Sequence, residues 1–379
     1  MKLREIALLA ALALTPACES NNTPQAPEIG QVSDQTADGV AAAMASPEPI
    51  RSLETRVEDS LVNIRNYLLE AQRKQSENPF GSPVEDHVAF ALGDIEVDGV
   101  SLLNELSKAR LTEGDRGKYF EDQYSHNGHT LLTLLRSTNA NWDREFEIQA
   151  DQPDQFLTLT LREIVKLYLT NAPMPSIDGK HNWTKELRPD EWVLGILNHA
   201  MQDLELRQFV ERKGIRYWKN SRWPRATESD YRHGVELEWE VFYETHIEGA
   251  TCYAGHAEEA LMLDDAIDGN SESLERYLAV LISRLEEING EEPDRPVGRA
   301  GFALEMGHRL DTLAQTNNVY PLHLSADQLA VVRESTTVFT SVLETLVEQD
   351  EMEAMGHGTG VAAHAYRALQ GVRDAGWLK

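Results

Sequence analysis

The chain has 379 residues, with 35 Lys+Arg against 63 Asp+Glu, a formal charge of −28. That surface repels phosphate backbones, and no block of Lys and Arg offsets it, so a nucleic-acid partner is excluded. Apolar residues at 41% and charged residues at 26% give globular composition, while Cys18 and Cys252 are too few for a disulfide scaffold.

In chain order, Lys2 and Arg4 precede a uniformly apolar run over residues 6–14, then Thr15-Pro16-Ala17-Cys18. A charged start and a short apolar run have signal-peptide form and are too short to span a bilayer. The segment resembles a bacterial lipoprotein signal, in which the cysteine is acylated and becomes the first residue. Thr15 occupies the usual leucine position, with Leu14 one step earlier. The resemblance implies removal of residues 1–17 and a lipid, with palmitate among its chains, on Cys18. The membrane partner is then reached through that lipid, placing the chain in the cell envelope, at the outer membrane. Ordinary signal-peptidase cleavage, reading the small residues Thr15 and Ala17, would cut the same bond. Residues 18–49 lack aromatics and have few large aliphatics, which predicts a disordered tether.

From residue 50 to 379 the dominant period is helical. Leu53, Val57, Leu61, Ile64, Leu68 and Leu69 predict a first helix, stopped by Asn78-Pro79-Phe80-Gly81. Further helices are predicted over 99–111, 188–209, 230–245, 271–288, 298–314 and 326–347, the last with a capping-box outline at Ser325 and Gln328. Strand signal is confined to 145–148 and 156–159 around Asp151-Gln152-Pro153-Asp154, a small β-hairpin insertion. The fold class expected is all-α.

The chain also repeats. His87, His129, His199, His256, His308 and His364 each have a leucine five residues on. Leucine fills 45 of 379 positions, so twelve histidines should show this once or twice, yet seven do, counting His126. The six spaced copies stand 42, 70, 57, 52 and 56 residues apart, an interval that suits one helical hairpin. Six helical hairpins resemble an (α/α)6 toroid, whose six inner helices line a central cavity. That geometry is favoured over an open α-solenoid of the same units because six is the toroid's number.

Four copies, at His129, His256, His308 and His364, follow Gly or Ala. A glycine there reads as the turn into a helix, with the histidine in the first turn where the dipole favours neutral imidazole. These four are the catalytic candidates, with Tyr253 and Tyr366 the nearest phenols. The structural alternative has each histidine bonding its own hairpin loop. Cys252 and His256 stand at i,i+4 and could share a metal, with His126, His129, His246 or His357 as further donors. The metal is left unassigned, and no cofactor is expected. Glu258-Glu259 and Asp264-Asp265 could serve glycoside hydrolysis, but in so acidic a chain they read first as a solvated helix face. The basic-aromatic island at 216–225 offers Trp218, Arg222, Trp223 and Arg225 to stack on sugars or grip a carboxylate.

Two functions follow. One is an envelope-tethered enzyme, a lyase or hydrolase acting on a glycan or other polymer around a histidine-lined cavity. The other is a non-catalytic helical scaffold binding a partner protein or ligand.

Overall fold

Apolar residues three and four apart close one face of a helix, and α1 (Leu53–Ser76) runs through the first such stripe. The computed structural model describes residues 51–76, 84–97, 99–111, 120–150, 155–171, 195–213, 250–267, 269, 271–290, 295–355 and 358–379. Helix takes 77% and strand 6% of these, so the all-α expectation holds. The signal segment, the tether and the helix expected over 230–245 lie outside the described residues.

The further helices are α2 (Val84–Leu92), α3 (Leu102–Arg110), α4 (Phe120–Ser137), α5 (Leu161–Asn171), α6 (195–200) and α7 (Leu204–Lys213). They continue with α8 (Ala250–Ile267), α9 (Ser271–Asn289), α10 (Pro296–Val319), α11 (Ala326–Glu348) and α12 (Gly358–Asp374). The Ser325 side chain accepts from the Gln328 backbone and Gln328 reaches back, so the expected capping box opens α11. The expected hairpin is also present. β3 (Glu145–Gln149) pairs antiparallel with β4 (Phe156–Thr160), Glu147 opposite Thr158. Phe146 and Ile148 point inward, as alternation requires. A second hairpin, β1 (Glu96–Val97) with β2 (Val100–Ser101), has only two residues per strand, too few for a periodic signal.

The six spaced histidines fall one each on α2, α4, α6, α8, α10 and α12. Helix contacts run from α4 to α2, from α2 to α12, from α12 to α10 and from α10 to α8. Asn198 on α6 donates to the Ala260 carbonyl of α8 at 2.8 Å, and Gly195 of α6 lies against Leu132 of α4. The other helices pack on this set: α1 on α2 and α12, α3 on α4, α9 on α8 and α10, α11 on α10 and α1. Residues 300–314 of α10 are buried on every side. A helix enclosed all round is normally apolar throughout. This one carries Glu305, His308, Arg309 and Asp311, and the site is built from that exception.

Candidate functional site

On α2, Asp86 and Phe90 are one turn apart, and on α4 His129, Thr133 and Arg136 follow a single stripe. Packing α2 on α4 brings the stripes together. His129 Nδ1 lies 2.8 Å from Asp86 Oδ2, with both side chains below one-tenth exposure. Thr130 donates to Asp86 Oδ2 at 2.8 Å and Thr133 to Oδ1 at 2.6 Å, so the carboxylate is held from three directions. The ring of His87 meets that of His129 edge-on at 5.4 Å.

Phe90 is the hub between the two halves. Its ring lies 5.5 Å from His129 and 5.1 Å from His364. The guanidiniums of Arg136 and Arg367 come over it, 5.0 Å and 4.4 Å from its centroid. Cations over an aromatic ring are drawn by its quadrupole. On the far side His308 and His364 stack with ring centroids 3.6 Å apart. Three of the four histidines singled out from the sequence thus meet in one buried cluster.

The glycines explain how the helices come so close. A Cβ on Gly255 would stand 2.2 Å from the His308 ring, and one on Gly307 would stand 3.2–3.3 Å from His364. Each glycine makes room for the histidine of the next unit. This corrects the expectation of a glycine turn with a first-turn histidine. His129, His308 and His364 are interior helical residues, so the dipole argument for their neutrality does not apply. Of the leucines five residues after these histidines, Leu204 is exposed, because α6 ends before it.

Ion pairs bind the cluster to its neighbours. Arg136 of α4 pairs with Glu259 of α8, and Arg367 of α12 donates to Asp311 of α10 at 2.9 Å. Deeper still, Arg309 bridges Glu258 at 2.7 Å and Glu305 at 2.9 Å, all three essentially without solvent contact. The solvated-face reading of Glu258-Glu259 is therefore wrong. These carboxylates are interior counter-ions, present because buried cations must be paired.

Burial alone would raise the Asp86 pKa, but the His129 charge and hydrogen bond, with Thr133 and His87, hold it at about 2. Burial also opposes ionisation of Glu259, yet Arg136, Arg367 and His308 carry its pKa below the usual carboxylate value. His199 on α6 is depressed to about 4, chiefly by burial, then by Arg136 and Arg367, with Glu259 opposing. The unfolded chain binds a proton at His199 near the ordinary value of 6.5, so this stabilising contribution is present above 6.5 and lost as pH falls toward about 4. The Asp86 contribution is present above 3.8 and lost as pH falls toward about 2. Urea midpoints should therefore drop in two acidic stages, and His199→Gln should remove much of the upper one. An unchanged upper stage in that variant would refute the assignment.

His256, Tyr253 and Cys252 lie on α8 with side chains outside the described residues, as do Cys18, Trp218, Arg222, Trp223 and Arg225 altogether. Tyr366 is partly buried on α12. Among the described residues, no group of three or more His, Cys, Asp or Glu side chains is placed to hold a metal ion. Sequence reading missed Asp86, Phe90, Arg136, Arg309 and Arg367. Their signal lies in the repeat: Asp86 and Thr130 are 44 positions apart, Glu258 and Arg309 51, Asp311 and Arg367 56, each one unit. No family model, curated protein or solved structure matches this chain.

Proposed function

We propose that this chain is an envelope-tethered enzyme that cleaves a glycan or other polymer, as a hydrolase or lyase, with His129 as general base. The observation that carries the reading is Asp86 held by two threonine hydroxyls against His129 Nδ1. A buried carboxylate on one ring nitrogen orients the imidazole and stabilises its protonated form, leaving Nε2 as the working atom. Proton transfer by such a group contributes about 10²–10⁴-fold in rate. His308 and His364 supply further proton carriers across Phe90.

The body, in this reading, is a closed (α/α)6 ring with α2, α4, α6, α8, α10 and α12 inside. Its support is the round of contacts α4–α2–α12–α10–α8, continued by Asn198 to α8 and Gly195 to α4. An open array would leave its first and last histidine helices apart. The anchor is the lipid on Cys18, which the resemblance to lipoprotein signals supports. Cys18→Ser should move the protein from the membrane to the soluble fraction, and a wild type already soluble would refute the anchor.

The scaffold reading keeps one specific support: His308 and His364 sit in the spaces beside Gly255 and Gly307, as helix-packing residues would. The experiment that separates the two incubates the full chain with peptidoglycan, neutral and acidic polysaccharides and polypeptides. Appearance of new chain ends with one class supports the enzyme. No new ends with any class support the scaffold.

A further inference from the structure

A buried guanidinium is costly unless its N–H groups find acceptors. Arg136 has a side chain only 9% exposed and gives Nη2 to Glu259, yet its Nη1 is buried with no hydrogen-bond partner among the described residues. Arg367 approaches the same Phe90 ring, with Nε on Asp311 and Nη1 donating to the Phe90 carbonyl at 3.3 Å. Glu259 is the carboxylate whose field reaches both arginines. His199 stands in the field of Arg136 and Arg367, with Glu259 opposing them.

We propose that the Nη1 edge of Arg136, which shares the Phe90 ring with Arg367, receives an oxyanion of the ligand, a carboxylate or a phosphate. A planar guanidinium with a donor to spare matches such a group, and charge-assisted bonds in a dry site are the strong ones. The inference rests on the enzyme reading only in making this ligand the substrate: the polymer cleaved is an acidic one. Arg136 pairs with Glu259 and Arg367 with Asp311, whereas the proton-transfer pair is Asp86 with His129.

Calorimetric titration of the full chain tests it, with glucuronate and inorganic phosphate as probes and glucose as the uncharged control. Saturable binding of glucuronate or phosphate, without binding of glucose, is expected. A response to glucuronate alone identifies a carboxylate, and a response to phosphate alone a phosphate. Arg136→Met with Glu259→Met removes both buried charges together and should weaken binding by about tenfold or more. Should that pair fail to fold, Arg136→Lys keeps the charge opposite Glu259 but lacks the fork, and should weaken binding similarly. No binding of either anion by the wild type overturns the inference, as does undiminished binding in the folded variant. A wild type that binds an anion but cleaves nothing refutes the enzyme reading alone. One that cleaves a polymer but binds neither anion refutes this inference alone.

Discussion

Arg309→Met should lower the stability of the folded body by about 3–5 kcal/mol, the cost of breaking a buried ion pair from one side. The arginine has no exposed surface, and its guanidinium joins Glu258 of α8 to Glu305 of its own helix. Methionine fills much of the volume but leaves two enclosed carboxylates without the cation between them. Glu305 keeps Arg284 at 3.2 Å, whereas Glu258 loses its ion pair with Arg309. Against a total of about 5–15 kcal/mol for a typical domain, that loss is large. Urea unfolding reads it directly. Replacing Glu258 and Glu305 by Gln in the same chain should restore part of the loss, because the lost counter-charge, not the missing contact, dominates. A shift below about 1 kcal/mol would mean that water already reaches these carboxylates.

The largest effect on activity is expected from Asp86→Asn. The amide keeps the shape and can still accept from Thr130 or Thr133, but it no longer offers a charged acceptor to His129 Nδ1. Loss of that orientation and of the charge that stabilises a protonated ring should reduce kcat by about 10²–10⁴-fold. KM should change little, since Asp86 is placed to hold the base and not the substrate. Steady-state kinetics on the polymer found by the substrate panel checks both numbers. A rise in KM with kcat unchanged would make Asp86 a binding group instead.

Much of the helical framework is legible in the sequence because leucine and isoleucine at three- and four-residue steps report a face directly. Leu53 to Leu69 and the Ser325 capping box are cases where local chemistry decides the element. The histidine spacing reports the repeat, and with it the even-numbered helices that carry the cluster. What it does not report is enclosure. On α10, Glu305, Arg309 and Asp311 are interspersed with Leu304, Met306 and Leu310, so the charges mark no single face. A helix buried on all sides has no outward face for charge to mark, so only the partners reveal burial. Those partners are one repeat away, beyond any local window. The glycines mislead for a related reason. Gly255 and Gly307 look like helix starts, but Gly255 admits the His308 ring and Gly307 the backbone and Cβ of His364, tertiary facts with no local trace.

His129→Asn tests the central claim most directly. An asparagine amide can still donate to Asp86 from near the Nδ1 position, while the ring and its Nε2 are gone. Turnover and the urea midpoint should be measured on the same preparation. If His129 is the base, turnover falls by about 10²-fold or more while the midpoint moves by less than about 1.5 kcal/mol in stability. If the histidine only packs α4 against α2, turnover on the same polymer stays near the wild-type value for the folded fraction, and the claim is contradicted.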